Sequence, residues 1–343
     1  MRHVLSQSHF LLKISNKFEY TLHQMIIDFI RKFKFSFSFY NYFKKEQLMH
    51  NKNLYKKYGL NKKYYSSISS KDFIGLSDEK NWLDINNSKE NLLQNDFFIK
   101  LPTEFKQPLL NWSNNGFVIL PKYFKKEADK INTEIKQLLE NKILKSEYGN
   151  KIMFAIQKSA YLSSIGLNKQ LNGIMEMLLG KKIELFQSIN FLYGSQQRTH
   201  SDFIHMSTFP KGNLIAVWIA LEDITNENGP LHYYPGSHKL PCILNDDYGN
   251  EGTEFMIGNK AYDKYEDEVE SVLQKTNFKK QIFNAKKGDV LIWHSNLLHG
   301  GEPVLNPKLT RKSMVFHYYA HDVICYHEIT QRPTIMEKLP KFN

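Results

Sequence analysis

The sequence predicts a mainly β fold with flanking helices, an α+β barrel preceded by a helical N-terminal extension. Three observations carry this. Five runs rich in aliphatic, β-branched and aromatic residues, at 182–193, 214–224, 231–234, 288–293 and 310–319, are bounded by turn-forming sequence. Helical spacing of apolar residues falls outside those runs. Candidate metal ligands stand just after the first and fourth runs, as a rigid barrel with a metal at its mouth would place them.

Residues 1 to about 95 read as mainly helical, with apolar spacing over 18–39. Residues 64–71 break that pattern, and Ser70 or Asp72 is a candidate cap for a later turn. Residues 96–343 then form one large domain. Residues 122–143 place Phe124, Ala128, Ile131, Ile135, Leu138 and Leu139 on one helical stripe, and a second helix fits 168–179. Both would pad the outside of the barrel. The run at 182–193 enters a turn at Gly194-Ser195, and 214–224 is apolar enough for a strand buried on both faces. After a turn at 226–230, residues 231–234 return as a short strand. Residues 245–276 interrupt the strands, with a candidate helix at 261–273. This insertion reads equally as a lid over the site or as a surface excursion with no catalytic part.

At 41% hydrophobic over 343 residues the chain can bury a sizeable core. Two cysteines, Cys242 and Cys325, are too few for a disulfide framework, so a reducing, cytoplasmic setting is expected. No apolar run is long enough for a transmembrane helix. Residues 25–40, the most apolar N-terminal stretch, are broken by Asp28, Arg31, Lys32 and Lys34 and lack a signal-peptide cleavage pattern. Net charge is +11, and residues 1–65 hold 13 Lys and Arg against 3 acids. Three readings compete: a basic face for an anionic metabolite or anionic lipid, nucleic-acid binding, or a solvated lysine-rich surface. Scattered lysines without a nucleic-acid motif favour the last, and no nucleic-acid partner is expected.

His200-Ser201-Asp202 and His299 supply two imidazoles and a carboxylate. That set occupies one face of a non-heme ferrous ion and leaves three positions open. The competing reading is a set of surface and core histidines. His299 precedes Gly300-Gly301, which permit close backbone approach. His294, on the preceding strand, is the backup ligand; alternation puts it on the opposite face. His232 and His238 read as turn or packing residues. His205 would line the substrate side or serve structure alone, and His317 reads mainly as core. Twelve residues after His299, alternation puts Arg311, Ser313, Val315, His317 and Tyr319 on one face. An inward arginine needs an anionic partner, and a guanidinium holds a carboxylate bidentately. The competing reading is a surface strand whose other face packs inside.

From Gln187 to Tyr319 the chain resembles the phytanoyl-CoA dioxygenase family of 2-oxoglutarate oxygenases. The matching pieces are His200-Ser201-Asp202, Trp218 through Asp223, Asn228-Gly229-Pro230-Leu231, Tyr234-Pro235-Gly236-Ser237-His238, Gly288-Asp289-Val290, His299-Gly300 and Arg311-Lys312-Ser313. Asn115 through Pro121 looks like the family's opening strand. The resemblance implies a double-stranded β-helix (jelly-roll, cupin-like) with Fe(II) held by His200, Asp202 and His299 and 2-oxoglutarate held by Arg311. Gln187 and Asn190 would lie near the cosubstrate. Some relatives carry serine where this chain has Gly301, so a hydroxyl contact is missing or comes from elsewhere, with Ser313 the candidate. The implied activity consumes 2-oxoglutarate and O2, releases succinate and carbon dioxide, and hydroxylates an unactivated C–H bond of a small molecule. Halogenation is not expected, because Asp202 keeps the carboxylate that halogenating relatives lack. Desaturation and ring closure stay open. The basic surplus tilts the substrate toward an anion. A cupin-like metal protein without oxygenase activity, or a non-catalytic scaffold, is the alternative.

Overall fold

The computed structural model describes residues 27–342, apart from 28, 86–87 and 147–149. The start of the helix expected over 18–39 lies outside the described residues, whereas 10 of the 13 Lys and Arg of residues 1–65 lie within them. Twelve strands among those described form three antiparallel sheets. In chain order they are β1 (Phe117–Leu120), β2 (Lys151–Met153), β3 (Ile183–Phe191), β4 (Ser207–Phe209), β5 (Leu214–Ala220), β6 (Leu231–Tyr233), β7 (Gln281–Phe283), β8 (Val290–His294), β9 (His299–Gly301), β10 (Ser313–Ala320), β11 (Ile324–His327) and β12 (Arg332–Pro333).

The large sheet runs β1-β8-β5-β10-β3-β2, and the smaller ones run β7-β6-β9 and β12-β11-β4. A bridge between His200 and His299 adds a fourth member beside β9. The large sheet and this layer are the two sheets of a jelly roll. All five predicted runs become strands. β1 lies inside the segment read as an opening strand and pairs with β8, Phe117 opposite Trp293.

Central strands β5 and β10 are buried along their whole length, so they read as apolar runs rather than as alternation. The two faces still differ. Ile215, Val217 and Ile219 of β5 join Val290, Ile292, Met314 and Phe316 in a core shared with helices. Ala216, Trp218 and Ala220 turn inward with Leu291, Trp293 and Val315. The covering helices are α1 (Lys34–Phe43), α2 (Ala128–Glu140), α3 (Lys169–Leu179) and α4 (Tyr262–Gln274) in chain order, of which α2 and α3 carry the outer core. α2 presents Ala128, Ile131, Ile135 and Leu138 at helical spacing. α3 starts at Asn168, whose side chain accepts from the Leu171 N–H at 3.0 Å. It ends at Gly180, where φ is +64°.

The N-terminal segment packs directly on the barrel. Leu54, Tyr55, Ile68 and Phe73 share a core with Phe209, Ile324 and Tyr326. The turn is Ser70–Phe73, and its N-cap is Ser69 rather than Ser70 or Asp72; Asp72 completes the capping box by accepting from the Ser69 N–H at 2.9 Å. Ser70 instead donates to buried Glu328 through its hydroxyl at 2.7 Å.

A bulge in β3 matters most for the site. His317 pairs with Gln187 but Tyr318 pairs with Leu185, which leaves Phe186 as the extra residue. Phe186 and Gln187 therefore both reach the interior, followed by Ile189 and Phe191.

Candidate metal and cosubstrate site

A cavity of about 470 Å³ opens between the large sheet and the two small ones. His200, Asp202 and His299 meet on its wall, with one ligand atom of each within 4.8 Å of the others. The pairing of His200 with His299 fixes this, since the two backbones exchange hydrogen bonds of 2.9 Å in both directions. Each ring is oriented from behind. His200 Nδ1 donates to the Arg198 carbonyl at 2.9 Å, and His299 Nδ1 donates to the Leu297 carbonyl at 2.9 Å. Those bonds place the proton on Nδ1 and leave both Nε2 lone pairs facing inward.

Asp202 completes the set. Its Oδ1 lies 3.8 Å from His299 Nε2, and its Oδ2 accepts from Trp293 Nε1 at 2.7 Å. His317 Nε2 is 3.6 Å from the same Oδ2. Burial alone would raise the Asp202 pKa, but His299 and His317 outweigh it and hold the carboxyl well below its usual range. Burial holds the His200 imidazole far below its ordinary pKa, with His299 adding to the shift. An ionised carboxylate and a neutral imidazole are the states that bind a cation.

Arg311 precedes β10 and is buried to 1% exposure. Its Nη1 donates to Ser313 Oγ at 2.7 Å and its Nη2 to Ser195 Oγ at 3.4 Å, while Nε has no partner. The guanidinium sits 5.3 Å from the Phe191 ring centre and 6.0 Å from that of Trp218. Among the described residues no carboxylate pairs with it, and burial pushes its pKa down to about 10. The desolvation of this guanidinium, held by two hydroxyls and two aromatic faces, is only partly offset by the Glu222 carboxylate, which forms no ion pair with it.

Ser313 and Ser195 both present a hydroxyl to the Arg311 guanidinium. A Cβ at Gly301 would lie 2.6 Å from Ser195 Oγ. Ser195 therefore fills the space that a serine at 301 would need, and its hydroxyl reaches Arg311. Gln187 lines the cavity. Asn190 does not, and its expected place beside the cosubstrate is corrected. Beyond the bulge, alternation resumes with Gln187, Ile189 and Phe191 inward, so Asn190 turns to the other face, opposite Met314. Its buried amide has no hydrogen-bond partner.

The other histidines separate cleanly. His294 faces away, with Nε2 3.4 Å from Asp84. His232 lies 2.7 Å from Glu302, and His238 packs beside His294. His205, His317 and His327 line the cavity. Burial, with His327 beside it, pushes His205 down to about 3; burial, with Arg332 nearby, does the same to His327. Sequence reasoning missed Trp293, Ser195, Lys151 and Arg332 in the cavity wall. Trp293 lies on the inward face of β8 and was open to detection by alternation; Lys151, on a three-residue strand, gave no signal.

The insertion at 245–276 lines none of the cavity. α4 lies behind the ligand turn instead. Tyr265 Oη accepts from the Ser201 N–H at 3.0 Å, and Tyr262 Oη meets His205 Nε2 at 3.0 Å. Arg198 reaches Asp267 at 3.0 Å and Glu270 at 3.1 Å. The helix buttresses the ligands and does not cover the site.

A family model described as phytanoyl-CoA dioxygenase (PhyH) matches residues 112–313. The chain belongs to the phytanoyl-CoA dioxygenase family. The match spans every candidate ligand from His200 to Arg311 and Ser313. Among curated relatives, a phytanoyl-CoA dioxygenase domain-containing protein 1 homolog of Dictyostelium discoideum is 28% identical over 167 residues, covering 46% of this chain and 50% of its own. The peroxisomal phytanoyl-CoA dioxygenase of Bos taurus is 30% identical over 108 residues, covering 31% of this chain and 28% of its own. The chain thus spans half the length of the first relative and less of the second. Among solved structures, SnoK, an alpha ketoglutarate dependent carbocyclase from nogalamycin biosynthesis, aligns with a TM-score of 0.53 at 18% identity, over 66% of this chain and 87% of its own. That likeness is one of fold.

Proposed function

We propose that this member of the family is an Fe(II)- and 2-oxoglutarate-dependent dioxygenase that hydroxylates a C–H bond of a small molecule. The observation that carries the proposal is one cavity holding both the His200–Asp202–His299 set and a buried guanidinium without a carboxylate. A metal protein with no dicarboxylate to bind would gain nothing from Arg311 at that cost.

The residues fit both groups. Two inward Nε2 lone pairs and one carboxylate oxygen are donors suited to ferrous iron. Arg311, with Ser313 and Ser195 on its flanks, is suited to the far carboxylate of 2-oxoglutarate, and Gln187 lines the space between. When bound, iron and 2-oxoglutarate activate O2, leaving one oxygen atom in the substrate and one in succinate as carbon dioxide departs. The chain's part is orientation and exclusion of water. Trp293 fixes Asp202, backbone carbonyls fix both imidazoles, and Phe191, Trp218 and Val315 keep the floor apolar.

The substrate end supports an anionic small molecule. Lys151 and Arg332 line it, with pKa values lowered by burial, and Asp202 is the sole carboxylate in the wall among the described residues. His205 and His327, held neutral, offer hydrogen bonds rather than charge. A cytoplasmic setting belongs to the same proposal and is supported by two unpaired cysteines. The test is succinate formation by the iron-loaded protein in air. Turnover should require 2-oxoglutarate and vanish in Asp202→Ala. Equal succinate from that variant would remove the proposed ligand set.

A further inference from the structure

α1 forms one wall of the same cavity and carries an exposed aromatic stripe on its other side. Tyr40 and Asn41 line the cavity. Phe37 and Asn41 are buried, Asn41 Nδ2 donates to the Tyr65 carbonyl at 3.1 Å, and the Arg332 guanidinium lies 4.7 Å from the Phe37 ring centre. On the outer side Phe35, Phe39 and Phe43 recur every four residues and are 69%, 68% and 68% exposed. Among the described residues, every phenylalanine more than half exposed is one of these three, Phe29 at 56% or Phe255 at 71%. The backbone of Phe255 adjoins the start of α1, where its carbonyl accepts the Lys34 N–H at 2.9 Å. Tyr42 extends the stripe, 5.8 Å from Phe43.

The chain through α1 is basic, although Asp72, Glu251 and Glu254 line the pocket beside Lys34 and Phe35. From Phe29 to Lys57 the chain carries Arg31, Lys32, Lys34, Lys44, Lys45, Lys52, Lys56 and Lys57 against one acid, Glu46. A contiguous aromatic stripe of this kind is costly to leave in water. Aromatic rings flanked by lysines suit the interface of an anionic bilayer, with the rings at headgroup depth and the ammonium groups on lipid phosphates. A protein partner would satisfy the rings without accounting for the basic character of this stretch of chain.

We propose that α1 seats this protein on an anionic lipid surface through Phe35, Phe39 and Phe43, with the surrounding lysines as electrostatic anchors. Tyr40 is 53% exposed and also lines the cavity, so docking brings one wall of the cavity to the lipid surface. A route for an amphiphilic substrate from the bilayer into the cavity rests on the oxygenase reading; the docking itself does not.

The test is sedimentation of the full chain with vesicles of phosphatidylcholine alone or with about a third phosphatidylserine. Binding should appear with the anionic vesicles, fall at high salt, and weaken about tenfold or more in the exposed triple variant Phe35→Ser/Phe39→Ser/Phe43→Ser. Succinate formation should be unchanged in that variant, so failure of docking and failure of the oxygenase reading register in separate assays. No vesicle binding by the folded chain would overturn the proposal. Binding that the triple variant retains would overturn it too. So would a dimer in sedimentation velocity that dissociates in the variant, because the stripe would then be a contact between copies.

Discussion

Arg311 and Asp202 do opposite electrostatic work in one cavity, and each makes a separable prediction. Arg311 lacks a carboxylate partner among the described residues, so Arg311→Ala should weaken 2-oxoglutarate while leaving the metal set intact. Loss of a charge-assisted bond worth about 1.5–3 kcal/mol raises the apparent requirement about 10- to 100-fold. A titration of rate against 2-oxoglutarate reads this directly, and an unchanged requirement places the cosubstrate elsewhere. Arg311→Met should also raise the melting temperature of the metal-free protein, because a buried charge is replaced by an apolar chain of similar size. Calorimetry without added ligand checks it. Trp293→Phe removes the donor to Asp202 Oδ2. Fe(II) affinity should fall about 10- to 100-fold with the fold unchanged.

At the scale of elements, α4 holds the ligand turn. Tyr265→Phe strips the acceptor from the buried Ser201 N–H, which lies between His200 and Asp202. Stability should drop by about 1–3 kcal/mol, and Fe(II) should bind more weakly. Arg198→Ala, which removes exposed ion pairs from the same helix, should cost under about 1 kcal/mol. Paired thermal melts separate the two, and equal losses would mean that α4 holds the turn by charge rather than through Tyr265. The helix itself was legible in the charged, periodic sequence at 261–273. Its partner was not, because a lid and a buttress share one pattern and differ only in the surface they meet. Asn190 shows the same limit on a strand. The bulge at Phe186 turns Gln187 inward, and the regular register from Gln187 to Phe191 then turns Asn190 away, so two residues three apart do not share the cavity.

Across the whole molecule, what could be read from the chain were features of period and order. Both-face burial showed as continuous apolar runs at β5 and β8. The distance from His299 to Arg311 placed the basic group one strand beyond the second imidazole. The cavity wall was harder to read, because Lys151, Ser195, Trp293 and Arg332 come from four distant segments that meet only after the sheets close. The same closure couples ligand binding to stability. Saturating Fe(II) with 2-oxoglutarate at about a hundred times its dissociation constant should add about 2.7 kcal/mol and raise the melting temperature by a few degrees. Arg311→Met should lose the 2-oxoglutarate increment while keeping that of the metal.

The most direct measurement is an anaerobic titration of the metal-free protein with Fe(II) and then 2-oxoglutarate, watched for the weak visible charge-transfer band of the iron chelate. The account predicts a band that saturates at one equivalent of iron, disappears in Asp202→Ala and needs more 2-oxoglutarate in Arg311→Ala. Folded protein that gives no band, or a band indifferent to both substitutions, would contradict it.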